Sequence, residues 1–168
     1  MNSKSIWLHT LVIGSFIAIQ STLLKNISIK GITPDIAFVI LVFSVNYQGA
    51  FKGQITGFIT GLLKDFLSVS PLGFHAFIHV VIASMLGSIK GKIFIDPILV
   101  PVLMVTVSTF LKRFFGFILM SIFSHESAGQ FFSIALLIEI GINAFLAPFV
   151  YALMKAVSLI RPREREEY

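Results

Sequence analysis

The chain has 168 residues, 56% of them hydrophobic and 12% charged, with a mean hydropathy of +0.93. That balance excludes an ordinary soluble domain and fits a polytopic membrane protein. The net charge of +5 sits on basic residues placed singly between apolar runs and in one tail. No basic stripe alternates with aromatics, so nucleic-acid binding is set aside. The absence of Cys removes disulfides and thiol chemistry.

A membrane span needs about 20 apolar residues, fewer where protein shelters the segment. Six such runs occur, at 6–24, 34–48, 53–69, 71–89, 97–123 and 131–154. They predict an all-α integral membrane protein: one six-helix domain over 1–154 and a charged, solvated tail over 155–168. The first run follows Lys4 but has no small-x-small cleavage site after it, which favours a retained helix over a signal peptide. Runs two and three are short and closely spaced, predicting a tight helical hairpin. Pro34, Pro71 and Pro97 stand where a helix can begin with least loss of hydrogen bonding. Pro148 falls inside the last run and predicts a kink.

Lys and Arg in short loops set orientation. Lys4, Lys52, Lys90, Lys92, Lys155, Arg161, Arg163 and Arg165 fall on one side, against Lys25 and Lys30 on the other. The bias predicts that both termini are cytoplasmic.

The third run holds the most informative pattern. Gly53, Gly57 and Gly61 recur every fourth residue, and Asp65 is one step further along the same helical face. Such a stripe admits a close helix neighbour, within the chain or from a partner, and a possible homodimer. Gly14 and Ala18 form a second, less specific small-residue pair. An Asp near the bilayer centre costs about 2.5–3.5 kcal/mol on insertion scales, so it should face protein rather than acyl chains.

Asp65, Lys112, Arg113 and Glu139 converge on one depth when helix rise is counted from the span ends. Pairing is the cheapest arrangement for them, so Asp65, Glu139 or both should bond Lys112 or Arg113. Lys64 lies near the outer end and is expected to snorkel. A structural ion-pair layer or partner site is favoured over a proton or ion relay, which needs a continuous polar path. His79 reaches the same level, and His75 with His79 would need a third ligand to hold a metal. Asn143, with Ala147 and Pro148, predicts an amide hydrogen bond at a close helix crossing, and Gln20 resembles it. No nucleophile–base arrangement or phosphate-cradling loop occurs, so no enzyme, metal or cofactor is expected.

The motifs together resemble the rod shape-determining protein MreD family. The resemblance rests on Pro34-Asp35, then Gly57, Gly61-Leu62-Leu63-Lys64-Asp65 and Ser68-Val69-Ser70-Pro71-Leu72-Gly73, and finally Asn143 through Pro148 with Val150-Tyr151. Lys64 departs from the apolar residue expected before the Asp. The resemblance implies a multi-pass component of the bacterial inner membrane that binds MreC. It would link MreB filaments to the RodA glycosyltransferase and its penicillin-binding transpeptidase. It also implies the six-helix fold of the substrate-binding component of energy-coupling factor transporters, so a vitamin-type carrier is the alternative function. An ion channel is a third.

Overall fold

The computed structural model describes residues 3–22, 32–68, 70–89, 99–123 and 133–156. Every element among them is a helix: α1 Ser3–Thr22, α2 Ile36–Gln48, α3 Ala50–Leu67, α4 Phe74–Gly87, α5 Leu99–Phe123 and α6 Ile134–Ala156. The loop charges Lys25, Lys30, Lys90 and Lys92, Pro97, and the tail arginines lie outside the described residues.

The segment Ile-Ala-Phe-Val-Ile-Leu-Val-Phe-Ser-Val-Asn-Tyr-Gln of α2 is rich in β-branched and aromatic residues, which intrinsically favour strands. It is helical because apolar surroundings require each backbone polar group to be satisfied within its own segment. Ten of its thirteen residues are buried, and it touches each of the other five helices. The core is therefore built around α2, with Phe38, Ile40, Leu41 and Val42 meeting Ile13, Ile78, Ile82 and Val105.

One residue, Gly49, joins α2 to α3, and its φ of 89° with ψ of 175° is a conformation that favours glycine. The reversal sends α3 back along α2, where Gly53 lies against the side chain of Val45. The most extensive pairing is between α3 and α4. A Cβ on Gly61 would collide with the backbone of Ala76, one on Gly57 would lie 3.0 Å from the His79 carbonyl oxygen, and one on Gly87 would collide with the backbone of Ala50. The paired numbers run in opposite directions, so α3 and α4 are antiparallel and nearly in backbone contact along their length. The glycine stripe is thus buried inside the chain. The close neighbour that Gly57 and Gly61 meet in the structure is α4 of the same chain. Gly14 likewise faces Leu63 of α3.

Two helices, α5 and α6, are long and apolar enough to cross a membrane; α2, α4 and the Ile6–Ser21 part of α1 are apolar but shorter. α3 carries its charges, Lys52, Lys64 and Asp65, toward its two ends, with Gln54, Thr56 and Thr60 as polar residues between them. Large apolar side chains cover the outside: Phe58, Phe66, Phe77, Leu103, Phe145 and Phe149 are all more than half exposed. Such a surface suits lipid rather than water.

α1 and α3 each begin three residues before the runs read from the sequence, whereas α4 begins three residues later, at Phe74 rather than Pro71. Pro71 instead accepts the Phe74 N–H through its carbonyl at 3.1 Å, and Gly73 is left-handed at φ 92°. At α2 the helix starts two residues after Pro34, because Asp35 occupies the capping position. α6 runs on either side of Pro148 as one element.

Replacing Gly61 with Leu should lower the thermal stability of the detergent-solubilised protein by about 1–3 kcal/mol or prevent its accumulation in the membrane. The matched control is Gly141→Leu, where a new Cβ meets nothing within 4 Å. That variant should melt like the parent.

Candidate functional site

Two carboxylate centres occupy the end of the bundle at which α2 begins and α3 turns into α4. The first is Asp65, whose side chain is fully buried. It does not bond Lys112 or Arg113. Its oxygens accept from the backbone N–H groups of Gly73 at 2.9 Å, His75 at 2.8 Å and Ala76 at 3.3 Å, and contact Nδ1 of His75 at 2.8 Å. His75 and Ala76 are the second and third residues of α4, whose N–H groups have no partner within the helix. Gly73 precedes the helix and has no side chain to cap it. Asp65 therefore does the work of an N-cap from eight residues upstream, and its charge faces the positive end of the α4 dipole. Gly61 lets α4 approach, Gly73 makes the left-handed turn, and Asp65 collects the freed N–H groups. This is a physical account of the Gly-Leu-Leu-Lys-Asp and Ser-Pro-Leu-Gly spacing.

The second centre is Asp35. Its Oδ1 accepts from the Phe38 N–H at 3.3 Å and so caps α2. Its Oδ2 accepts from Lys64 Nζ of α3 at 2.6 Å and from Lys112 Nζ of α5 at 2.8 Å. Its backbone N–H donates to Asn143 Oδ1 of α6 at 3.1 Å, and Asn143 Nδ2 donates to Thr109 Oγ1 of α5 at 3.3 Å. One residue before it, the Pro34 carbonyl accepts from Gln20 Nε2 of α1 at 2.6 Å, while Gln20 Oε1 accepts from the Ala37 N–H at 3.0 Å. Side chains from four helices thus meet the first residues of α2.

Lys112 extends the network, bonding Glu139 Oε1 of α6 at 2.5 Å and lying 4.8 Å over the Phe38 ring. Arg113 Nε donates to Glu139 Oε2 at 2.8 Å. Glu139 is therefore the acid that takes both α5 cations. Lys64, expected to reach for the membrane surface, is 22% exposed and turned inward to Asp35. The reason is proximity: the short α2 places its capping carboxylate at the level of Lys64, and a paired ammonium in apolar surroundings is cheaper than an unpaired one. Asp35 was readable as a motif residue next to a proline, but its place in the charge layer was missed. An Asp directly after Pro and before an apolar run is an N-cap signal, and that signal puts a carboxylate at the helix end.

His79 is buried, with its ring 5.7 Å from Phe38 and 6.2 Å from His75. Among the described residues no group of three or more His, Cys, Asp or Glu is gathered as a metal site. Pro148 lies about one and a half turns beyond Asn143 on α6, while Pro71 precedes the Asp65-bound turn.

The molecule is thus an all-helical protein with a lipid-suited exterior, whose ionisable residues in the helices are largely matched to one another. A comparison with protein families matches residues 1–157 to the rod shape-determining protein MreD. The chain belongs to that family, whose members are membrane proteins involved in determining rod shape. No curated protein and no solved structure matches it.

Removing the Asp35 charge leaves Lys64 and Lys112 competing for the remaining acid. Asp35→Asn should destabilise the solubilised protein by about 3–5 kcal/mol, the range for breaking one side of a buried ion pair. Asp65→Ala should destabilise it through a different route, by leaving the N–H groups at the start of α4 without acceptors, at about 1–3 kcal/mol for each. Thermal melts distinguish the two sites when combined with hydrogen exchange: faster exchange at His75 and Ala76 is expected in Asp65→Ala and not in Asp35→Asn.

Proposed function

We propose that the chain is a non-enzymatic, multi-pass scaffold of the bacterial cytoplasmic membrane. It binds MreC and links MreB filaments to the RodA glycosyltransferase and its penicillin-binding transpeptidase, so that wall synthesis follows the side of the cell. The observation that carries this reading is the family match over residues 1–157. The use of the polar side chains supports it. Asp35, Asp65, Glu139, Lys64, Lys112 and Asn143 hold one helix to another through the bonds described above. That pattern suits a rigid element that presents outer faces to partners better than one that turns over a substrate. The six-span topology with cytoplasmic termini, like that of the transporter substrate-binding components, is part of the same proposal.

In the organism that encodes the chain, depletion should turn rod-shaped cells round, and re-expression should restore rods. Cells that keep their shape and width after depletion would remove the scaffold reading. Thermal stabilisation of the purified chain by a vitamin would point to the carrier instead.

A further inference from the structure

The end of the bundle where α2 turns into α3 carries polar side chains that protein groups do not satisfy. His9 and Thr10 of α1, Ser44 and Gln48 of α2 and Thr56 of α3 are all buried there. Ser44, Tyr47 and Gln48 lie on one broad face of α2, three and four residues apart. The His9 ring packs against that face, its centroid 5.9 Å from that of Tyr47. Gln48 Oε1 accepts from Thr56 Oγ1 at 3.0 Å, which brings α3 to the same place. Each of α1, α2 and α3 packs on the other two. Among the described residues eight buried side-chain atoms lack a protein partner, and five of them are here: both ring nitrogens of His9, Thr10 Oγ1, Ser44 Oγ and Gln48 Nε2.

We infer that this junction of α1, α2 and α3 is a binding site for ordered water, a small internal cluster that bridges the three helices. The chemistry of the five atoms selects the ligand. A neutral imidazole donates from one nitrogen and accepts at the other, whereas the Gln48 amide nitrogen only donates. The ligand must therefore accept and donate at once. A cation offers no acceptor to the N–H groups, and an anion offers no donor to the accepting ring nitrogen. Ile6, Ile13 and Val45, which flank these residues in the chain, are buried as well, so the ligand is small. Water meets each requirement, and a buried water ordinarily makes about three bonds to polar groups of this kind. Gln48 adjoins the Gly49 turn and Tyr47 is 37% exposed, which sets the site close to the surface of the bundle. The water would tie α1 to the α2–α3 hairpin at the end opposite Gln20, whose bonds to Pro34 and Ala37 hold the other end directly. This inference is independent of the scaffold reading.

Water-edited solid-state NMR on the full chain in lipid bilayers tests the site. Magnetisation from water should reach the His9 ring and the Gln48 side-chain amide. Ile82, buried in the apolar core, should receive none in the same mixing time. Ser44→Ala and Thr10→Val each remove one anchor with little change in volume, and each should reduce the transfer at His9. His9→Phe keeps a ring against Tyr47 and should lower the melting temperature, because water held by the other groups loses a partner. A parent chain with no transfer to either His9 or Gln48 would overturn the inference. So would unchanged transfer at His9 in both anchor variants, or transfer from a co-purified organic molecule in place of water. A higher melting temperature for His9→Phe would also overturn it, since that is the result expected when an unpartnered buried polar group gives way to an apolar one of similar shape. If His9→Phe does not accumulate, the transfer in the parent chain decides alone.

Discussion

The helix ends and ion pairs of this bundle are organised by the need to match charge and hydrogen-bonding groups where water is scarce. The start of α2 shows this most plainly. Asp35 caps α2, holds a lysine from α3 and another from α5, and through its backbone reaches an asparagine from α6. Gln20 ties α1 to the adjacent residues. A carboxylate in that setting is stable because cations and N–H groups surround it, and the cations are stable because of the carboxylate. Register follows: a slip of either α3 or α5 by one residue would carry its lysine away from the acid.

The α3–α4 pair meets the same requirement with different means. Small residues bring two backbones together, which gives dispersion contact without a hydrophobic driving force between helices in lipid. A short turn after α3 then leaves N–H groups of α4 exposed, and Asp65 accepts from them. Glycine spacing and the acid belong to one device. Gly61 sets the separation that lets the Asp65 side chain reach across the turn, and Gly73 supplies the left-handed backbone that turns the chain toward it.

Much of the architecture could be read from residues alone. Six apolar runs separated by Gly, Pro and charged residues correspond to six helices, since periodic apolar composition reports element type well. The pairing of Glu139 with Lys112 and Arg113 follows from depth counted along two antiparallel spans. Depth could not resolve partner choice among charges at one level. Asp65 has neighbours in its own turn, eight to eleven residues away, that satisfy it before any cation on α5 can. Lys64 faces inward because of the short α2, a tertiary fact with no local signature. Small-residue spacing likewise announces a close approach without naming the neighbour, and here the neighbour is the next helix of the same chain.

The coupling between Asp35 and Lys112 tests the central claim most directly, because it isolates one cross-helix charge pair from the general cost of altering either residue. The measurement is a double-mutant cycle with Asp35→Asn and Lys112→Met, read as unfolding free energy in bicelles. If the layer holds the helices together by mutual neutralisation, the two changes should be non-additive by about 1 kcal/mol or more, with the double variant more stable than the sum of single losses implies. Additive losses would mean that the two charges do not sense each other, and the account of the bundle as a network centred on the start of α2 would be contradicted.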